Sequence, residues 1–180
     1  MKPRKYKVIK EEYENFYREF LINGKLPMYS TRLGFWNAAI SDEVYEAFKK
    51  LELQKYRRFI DLGSGDGKVV LIASLFCEEA HGVEIDEKLF DKSIEMQKRL
   101  FIRNVRFTNK DFLEHPIHDY DIIFLNPDKP LYRGIEKKLL RELNGKLILY
   151  GHHFHPKELK LEKSFLVNNT LVSLYSKKRA

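Results

Sequence analysis

At 180 residues the chain has the length of a single domain with a sizeable core, and 43% apolar with 13% aromatic residues excludes a disordered protein. No apolar run approaches the length of a membrane span, so membrane insertion is not expected. The net charge of +7 sits at the ends: Lys2, Arg4, Lys5, Lys7 and Lys10 have no acid among them, 177–179 read Lys-Lys-Arg, and the body between is nearly neutral.

Such basic ends suit a phosphate backbone or another acidic partner, and equally a solvated terminus that aids solubility. The first has no apolar core behind it and does not read as a secretory signal. Residues 11–22 place Tyr13, Phe16, Tyr17, Phe20 and Leu21 at helical spacing, and Gly24 and Pro27 stop that helix. Met28 to Trp36 is aromatic and polar without clear periodicity and reads as an ordered loop. A second helix follows, with Ser41 as N-cap, Asp42 and Glu43 in its first turn and Val44, Ala47, Phe48 and Leu51 on one face. A buried strand ending at Leu62 enters a glycine-rich turn, and an apolar helix from Val69 to Phe76 leaves it. The single cysteine, Cys77, cannot form an internal disulfide; a buried inert thiol in a reducing, cytoplasmic setting is the expectation.

Ala80 to Asp86 reads as a second strand, and Asp86 caps a helix with Phe90, Ile94, Gln97 and Phe101 on one face. Strands follow at Val105–Thr108, Tyr120–Leu125 and Lys146–Tyr150, with a helix through Leu131, Ile135, Leu139 and Leu143 ended by Gly145. Two last strands, about 163–168 and 171–177, close a hairpin through Asn168-Asn169. Strands alternating with helices predict an α/β fold with a mostly parallel sheet and right-handed crossovers. The segment 151–162 is short and polar, and a full crossover helix barely fits in it.

The stretch Asp61-Leu62-Gly63-Ser64-Gly65-Asp66-Gly67 carries the strongest chemical signal. Alternating glycines let a backbone turn sharply and approach a ligand, and the amides opening the next helix favour an anion. A dinucleotide turn needs its third glycine where Lys68 stands, and a P-loop needs Ser or Thr where Val69 stands, so both nucleotide readings fit poorly. Ligands of open α/β sheets bind beyond the carboxyl ends of the strands. There Glu84, 17 residues past Gly67, is placed to accept both hydroxyls of a ribose. Asp111 is placed to accept an adenine amino hydrogen with Phe112 packed on the ring, or else simply forms a turn. Asn126-Pro127 ends the fourth strand, as a turn or as part of the chemistry.

The pattern Asp-x-Gly-x-Gly-x-Gly resembles the first motif of the class I S-adenosylmethionine-dependent methyltransferases, and Glu84, Asp111-Phe112 and Asn126-Pro127 follow in that family's order over residues 59 to about 130. The resemblance implies a Rossmann-like, seven-stranded, mostly parallel sheet with helices on both faces, the last strand antiparallel and the fifth crossover shortened. It implies that Asp61, Gly63, Ser64, Gly65 and Gly67 cradle the methionine part of S-adenosylmethionine, that Glu84 holds the ribose, and that Ile85, Asp111 and Phe112 bound the adenine. One domain over 1–180 is expected, with 1–40 as a helix and loop covering the site and 41–180 as the core.

Asn126-Pro127 resembles the Asn/Asp-Pro-Pro-aromatic motif of amino-directed methyltransferases, where the Asn side chain and the first Pro carbonyl accept amino hydrogens. That makes Asn126 and Pro127 the candidate catalytic residues. Asp128 replaces the second proline and Lys129 the aromatic, with Tyr132 the nearest substitute. The glycine loop and His152-His153-Phe154 also resemble small protein-lysine methyltransferases of the archaeal and mitochondrial type, with Ser30-Thr31 where those carry Pro-Thr. A lysine acceptor must first lose its proton, and Tyr29, Phe35, Trp36 and Tyr150 are candidates to hold the cationic product. His152, His153 and His155 invite a zinc reading, but adjacent histidines on a strand point apart and no Cys or acid cluster joins them; no metal is expected. The combined expectation is a nitrogen-directed methyltransferase acting on RNA or a protein lysine, with a partner subunit or a second copy aiding recognition. A non-catalytic cofactor- or nucleoside-binding module and a small-molecule methyltransferase are the alternatives.

Overall fold

The structure, a computed structural model, describes residues 2–31, 34–131 and 134–178. Helix α1 (Lys2–Ile22) is followed by a short antiparallel hairpin of β1 (Met28–Ser30) and β2 (Phe35–Asn37). Then come α2 (Ser41–Lys50), β3 (Arg58–Leu62), α3 (Lys68–Ala73), β4 (Glu79–Glu84), α4 (Glu87–Arg99), β5 (Val105–Asn109), β6 (Ile122–Leu125), α5 (Ile135–Glu142), β7 (Lys146–Tyr150), β8 (Lys160–Val167) and β9 (Thr170–Ser176). The crossover between β5 and β6 carries only a 3-10 turn at Phe112–Glu114, and that between β7 and β8 carries no helix.

Strands β3 to β9 form one sheet in the order β5-β4-β3-β6-β7-β9-β8. The first five positions are parallel neighbours, and β9 runs antiparallel to both β7 and β8. The seven strands, the antiparallel last strand and the shortened fifth crossover are those expected. Alternation along the strands sorts the two cores. Phe59, Ala80, Phe107, Phe124 and Ile148 face α1 to α4, while Ile60, Leu62, Val83, Ile123 and Leu149 face α5 and the long loops. The chain order reverses between β3 and β6, which opens the crevice where ligands of such sheets bind.

Several local expectations are corrected. Residues 2–10 belong to α1 rather than to a loose basic end. Lys and Arg are good helix formers, Pro3 stands in the first turn where its missing N–H costs little, and Ile9 and Tyr13 are buried one turn apart. The segment 28–36 is a hairpin in its described parts, closed where the Thr31 amide meets the Gly34 carbonyl at 2.8 Å. Ser41 is the first helical residue of α2, and Ile40 caps it without a side-chain bond. Asp86 does cap α4, accepting from the Leu89 amide at 3.1 Å. Tyr132 and Arg179 lie outside the described residues. No helix among the described residues is long and apolar enough to cross a membrane.

Candidate functional site

The loop leaving β3 turns through Gly63, Gly65 and Gly67 at φ of +81°, +54° and +83°, a region that side chains resist. Space is a second constraint at two of them. A Cβ on Gly65 would lie 2.7 Å from the Trp36 indole, and one on Gly67 2.7 Å from the Phe107 ring. The loop amides point inward: Gly63 and Ser64 donate to the Val83 carbonyl at 2.9 and 3.0 Å, Gly65 to Glu84 Oε2 at 2.8 Å, and Gly67 to the Ser64 carbonyl at 2.9 Å. Three of the four reach β4, because the loop folds back onto the strand paired beside β3. Of the amides that open α3, which were expected to face an anion, that of Lys68 donates to Asp66 Oδ1 at 3.2 Å.

What the loop presents is acid and shape. Asp61 and Glu84 are 3% and 8% exposed. Burial, then the nearby charges of Glu84 and Asp66, holds the Asp61 carboxyl well above the usual range. Burial raises Glu84 as well, against the pull of its backbone donors. Glu84 Oε1 accepts from the Asp86 amide and Oε2 from Gly65, both at 2.8 Å, which fixes the carboxylate and leaves each oxygen a further lone pair. Ser64 Oγ is buried with no hydrogen-bond partner among the described residues. Clustered acids, an orphan hydroxyl and a backbone without side chains fit a small ligand with a cationic centre and hydroxyl donors. S-adenosylmethionine has both.

Beyond Glu84, Ile85 is half-buried, and its carbonyl accepts from Asn109 Nδ2 at 3.2 Å. The Phe112 ring comes within 3.8 Å of where Gly63 would carry a Cβ, so the third strand end does meet the glycine loop. Asp111 accepts from the Leu113 amide at 2.8 Å and caps the 3-10 turn, so its turn-forming reading is realised.

A roof from the N-terminal segment lies over the loop. Tyr13 donates to the Asp66 carbonyl at 2.7 Å and Tyr17 to Asp66 Oδ2 at 2.5 Å. Lys68 Nζ sits 4.4 Å from the Tyr17 ring centroid, and burial pushes its ammonium down to about 8 against the pull of Asp66. Trp36 packs on Tyr29 with centroids 5.2 Å apart, and burial, then the nearby charges of Asp86 and Glu84, pushes the Tyr29 hydroxyl up to about 12. The far end of the hairpin is tied across the crevice, where the Phe35 amide donates to Asp128 Oδ2 at 2.6 Å. None of the hydrogen bonds from Tyr13, Tyr17 and Phe35 carried a sequence signal, because their partners stand 49 to 93 residues apart. Asp128 was noted only as a departure from a motif.

Asn126 is exposed at the end of β6 and Pro127 is half-buried. The Asn126 Oδ1 lies 3.9 Å from where Gly151 would carry a Cβ, so the ends of β6 and β7 meet here. The other acceptor-side candidates separate. Tyr150 turns its hydroxyl to Glu43 Oε2 at 2.6 Å, inside the core, whereas Phe35 is 46% exposed. His152 bonds the Asn169 carbonyl at 2.5 Å, His155 the Tyr175 hydroxyl at 2.7 Å, and His153 stays exposed beside Phe154.

The strand order, the glycine turn and the acid at the second strand end define a class I S-adenosylmethionine-dependent methyltransferase, and S-adenosylmethionine is its cofactor. The family model described as histone methylation protein DOT1 matches residues 38–129, just over half of the chain, and the chain belongs to that family. No curated protein sequence matches it. Among solved structures, it is similar to an RNA methyltransferase from Salinibacter ruber in complex with S-adenosyl-L-homocysteine: 18% identity, 80% of this chain and 96% of that one, TM-score 0.70. It is also similar to the Pyrococcus abyssi tRNA (uracil-54, C5)-methyltransferase, with 14% identity over 78% of this chain and 40% of that one and a TM-score of 0.66. A ribosomal protein L11 methylase from Lactobacillus delbrueckii subsp. bulgaricus has 13% identity over 76% of this chain and 78% of that one, with a TM-score of 0.60.

Proposed function

We propose that this methyltransferase transfers its methyl group to nitrogen, and that the acceptor is an amino group on a protein. The observation that carries the reading is Asn126, exposed at the end of β6 beside Gly151 and at the foot of the hairpin tie through Asp128. The cofactor supplies an electrophilic methyl on a sulfonium. Asp61, Gly63, Ser64, Gly65 and Gly67 would bound its methionine part, Glu84 its ribose, and Ile85, Asp111 and Phe112 its adenine. The Asn126 side chain and the Pro127 carbonyl would accept the amino hydrogens and aim the nitrogen lone pair, so that the protein's work is positioning and exclusion of water. An ammonium has no lone pair, so the acceptor reacts after losing a proton, which partial desolvation under the hairpin favours. Residues 1–40 would act as the cover of one domain spanning 1–180. Membership of a family described by histone methylation supports a protein acceptor. RNA is the second reading, supported by the basic first turns of α1 and by the RNA and tRNA methyltransferases among similar structures.

Calorimetry with S-adenosylhomocysteine tests the cofactor residues. Glu84→Ala is expected to weaken binding tenfold or more, about 1.4 kcal/mol. Asn126→Ala is expected to leave that binding within twofold and to cut methyl transfer on the order of a hundredfold. Transfer of radiolabelled methyl into cell fractions, followed by protease or ribonuclease, reads the acceptor. Label released by ribonuclease overturns the protein reading in favour of RNA, and no binding of S-adenosylhomocysteine removes both.

A further inference from the structure

A cleft of about 780 Å3 opens between the C-terminal half of α1, the turn at 24–26, β1 and the start of α4. It lies on the α4 side of the hairpin, whose other end meets Asp128 in the acceptor loop. Its walls include Phe16, Phe20, Leu26 and Met28, and Lys25, Lys88 and Lys92 stand among them with no acid in the described lining. Leu26 and Met28 in its walls are 58% and 37% exposed. An apolar patch of this extent, edged by one sign of charge, is uncommon on a surface that meets only water.

We propose that this cleft docks an acidic, amphipathic segment of a partner protein. An apolar side chain of the segment would fill the space against Phe20, Leu26 and Met28, and its carboxylates would meet Lys25 and Lys88. Those two lysines form no ion pair among the described residues, whereas Lys92 is held by Glu95 at 2.6 Å and lies 4.6 Å over the Phe16 ring. The wall chemistry favours protein over single-stranded RNA. Bases need open aromatic faces. Here Phe16 and Phe20 meet edge to face at 79°, the third aromatic of the lining, Tyr29, is half-buried and packs on Trp36 at 5.2 Å, and the exposed apolar walls are Leu26 and Met28. The back of the cleft runs from Phe20 to Trp36, with centroids 6.0 Å apart, and Trp36 lies on Gly65. A docked segment would therefore press on the roof of the glycine loop. Docking here does not depend on which acceptor is methylated.

A displayed library of random twelve-residue peptides, selected on the full chain, tests this directly, with a random single-stranded RNA pool selected in parallel. Enriched peptides are expected to carry Asp or Glu around a Leu, Ile or Phe. Their affinity, read by fluorescence anisotropy, is expected to fall tenfold or more in Lys88→Glu and in Leu26→Ser. Both residues are exposed, so both variants should keep the wild-type circular dichroism and S-adenosylhomocysteine affinity. Enrichment of basic peptides, no enrichment, or binding indifferent to both variants overturns the proposal. RNA ligands whose binding is lost in Lys88→Glu also overturn it and make the cleft a nucleic-acid site.

Discussion

His81 shows how far a single side chain is governed by its neighbours. It is 3% exposed on β4, with Nδ1 at 2.5 Å from the Tyr120 hydroxyl, Nε2 at 2.8 Å from Thr108 Oγ1, and Arg106 at 3.4 Å. Burial first, then the Arg106 charge, pushes its imidazolium down to about 3. The unfolded chain binds a proton near the ordinary histidine value of 6.5, whereas the folded chain does not until about 3. Stability from this group is therefore complete above pH 6.5 and is lost as the pH falls through that window. Denaturant midpoints at pH 7 and pH 5 should differ more in the wild type than in His81→Gln, by on the order of 1 kcal/mol; equal differences would mean that His81 titrates freely. In the sequence His81 was one letter of an apolar strand, and nothing beside it announced Tyr120 or Arg106. Glu84, three residues on, was legible, because its distance from the glycine turn and its place at a strand end are both properties of the linear chain.

Helix α1 makes the same point for a whole element. Its aromatic stripe was readable from spacing, and its existence over 11–22 was expected. A helix and loop covering the site were expected over 1–40, but not the extension of the helix to Lys2, nor the residues that seat it on the glycine loop. The seat is built by Tyr13 and Tyr17, which bond Asp66 across 53 and 49 residues. Asp66 is buried, and burial raises its carboxyl against Lys68 and the Tyr17 hydroxyl. Tyr17→Phe removes that donor and leaves a buried carboxylate short of a partner, at a cost of about 1–3 kcal/mol. Limited proteolysis is expected to release α1 faster in this variant, while the sheet keeps its far-ultraviolet dichroism. Tyr6→Phe, which removes only an exposed bond to Asp42, is the control expected to leave the rate near wild type. Equal rates in all three chains would show that the aromatic packing alone holds α1 in place.

At the scale of the whole molecule, one buried acid ties the early chain to the last strands. Glu43, in the first turn of α2, accepts from Tyr150 and Thr170 at 2.6 Å each and from Asn168 at 3.4 Å. These bonds span 107 to 127 residues and hold α2 against β7 and the β8–β9 hairpin. Glu43→Ala leaves two hydroxyls without their acceptor and should cost about 2–4 kcal/mol, read as a fall in thermal midpoint of roughly 5–10 °C. A fall under 2 °C would mean that water replaces the carboxylate there.

The sequence by itself determined the order and kind of the core elements, the sharp turn after β3 and the acids at the strand ends. Those follow from local period, from glycine's freedom of φ and from the rule that strand ends gather at one edge of a parallel sheet. It also carried the resemblance to class I methyltransferases, through residues that lie close together in the chain. Only the tertiary structure decided what stands opposite them. It placed Trp36 on Gly65, Asp128 under Phe35, Tyr150 on Glu43 instead of at the acceptor, and a lysine-edged cleft between α1 and α4. Each of these joins residues from separate elements, so each depends on how those elements pack, a property that no local stretch of chain contains.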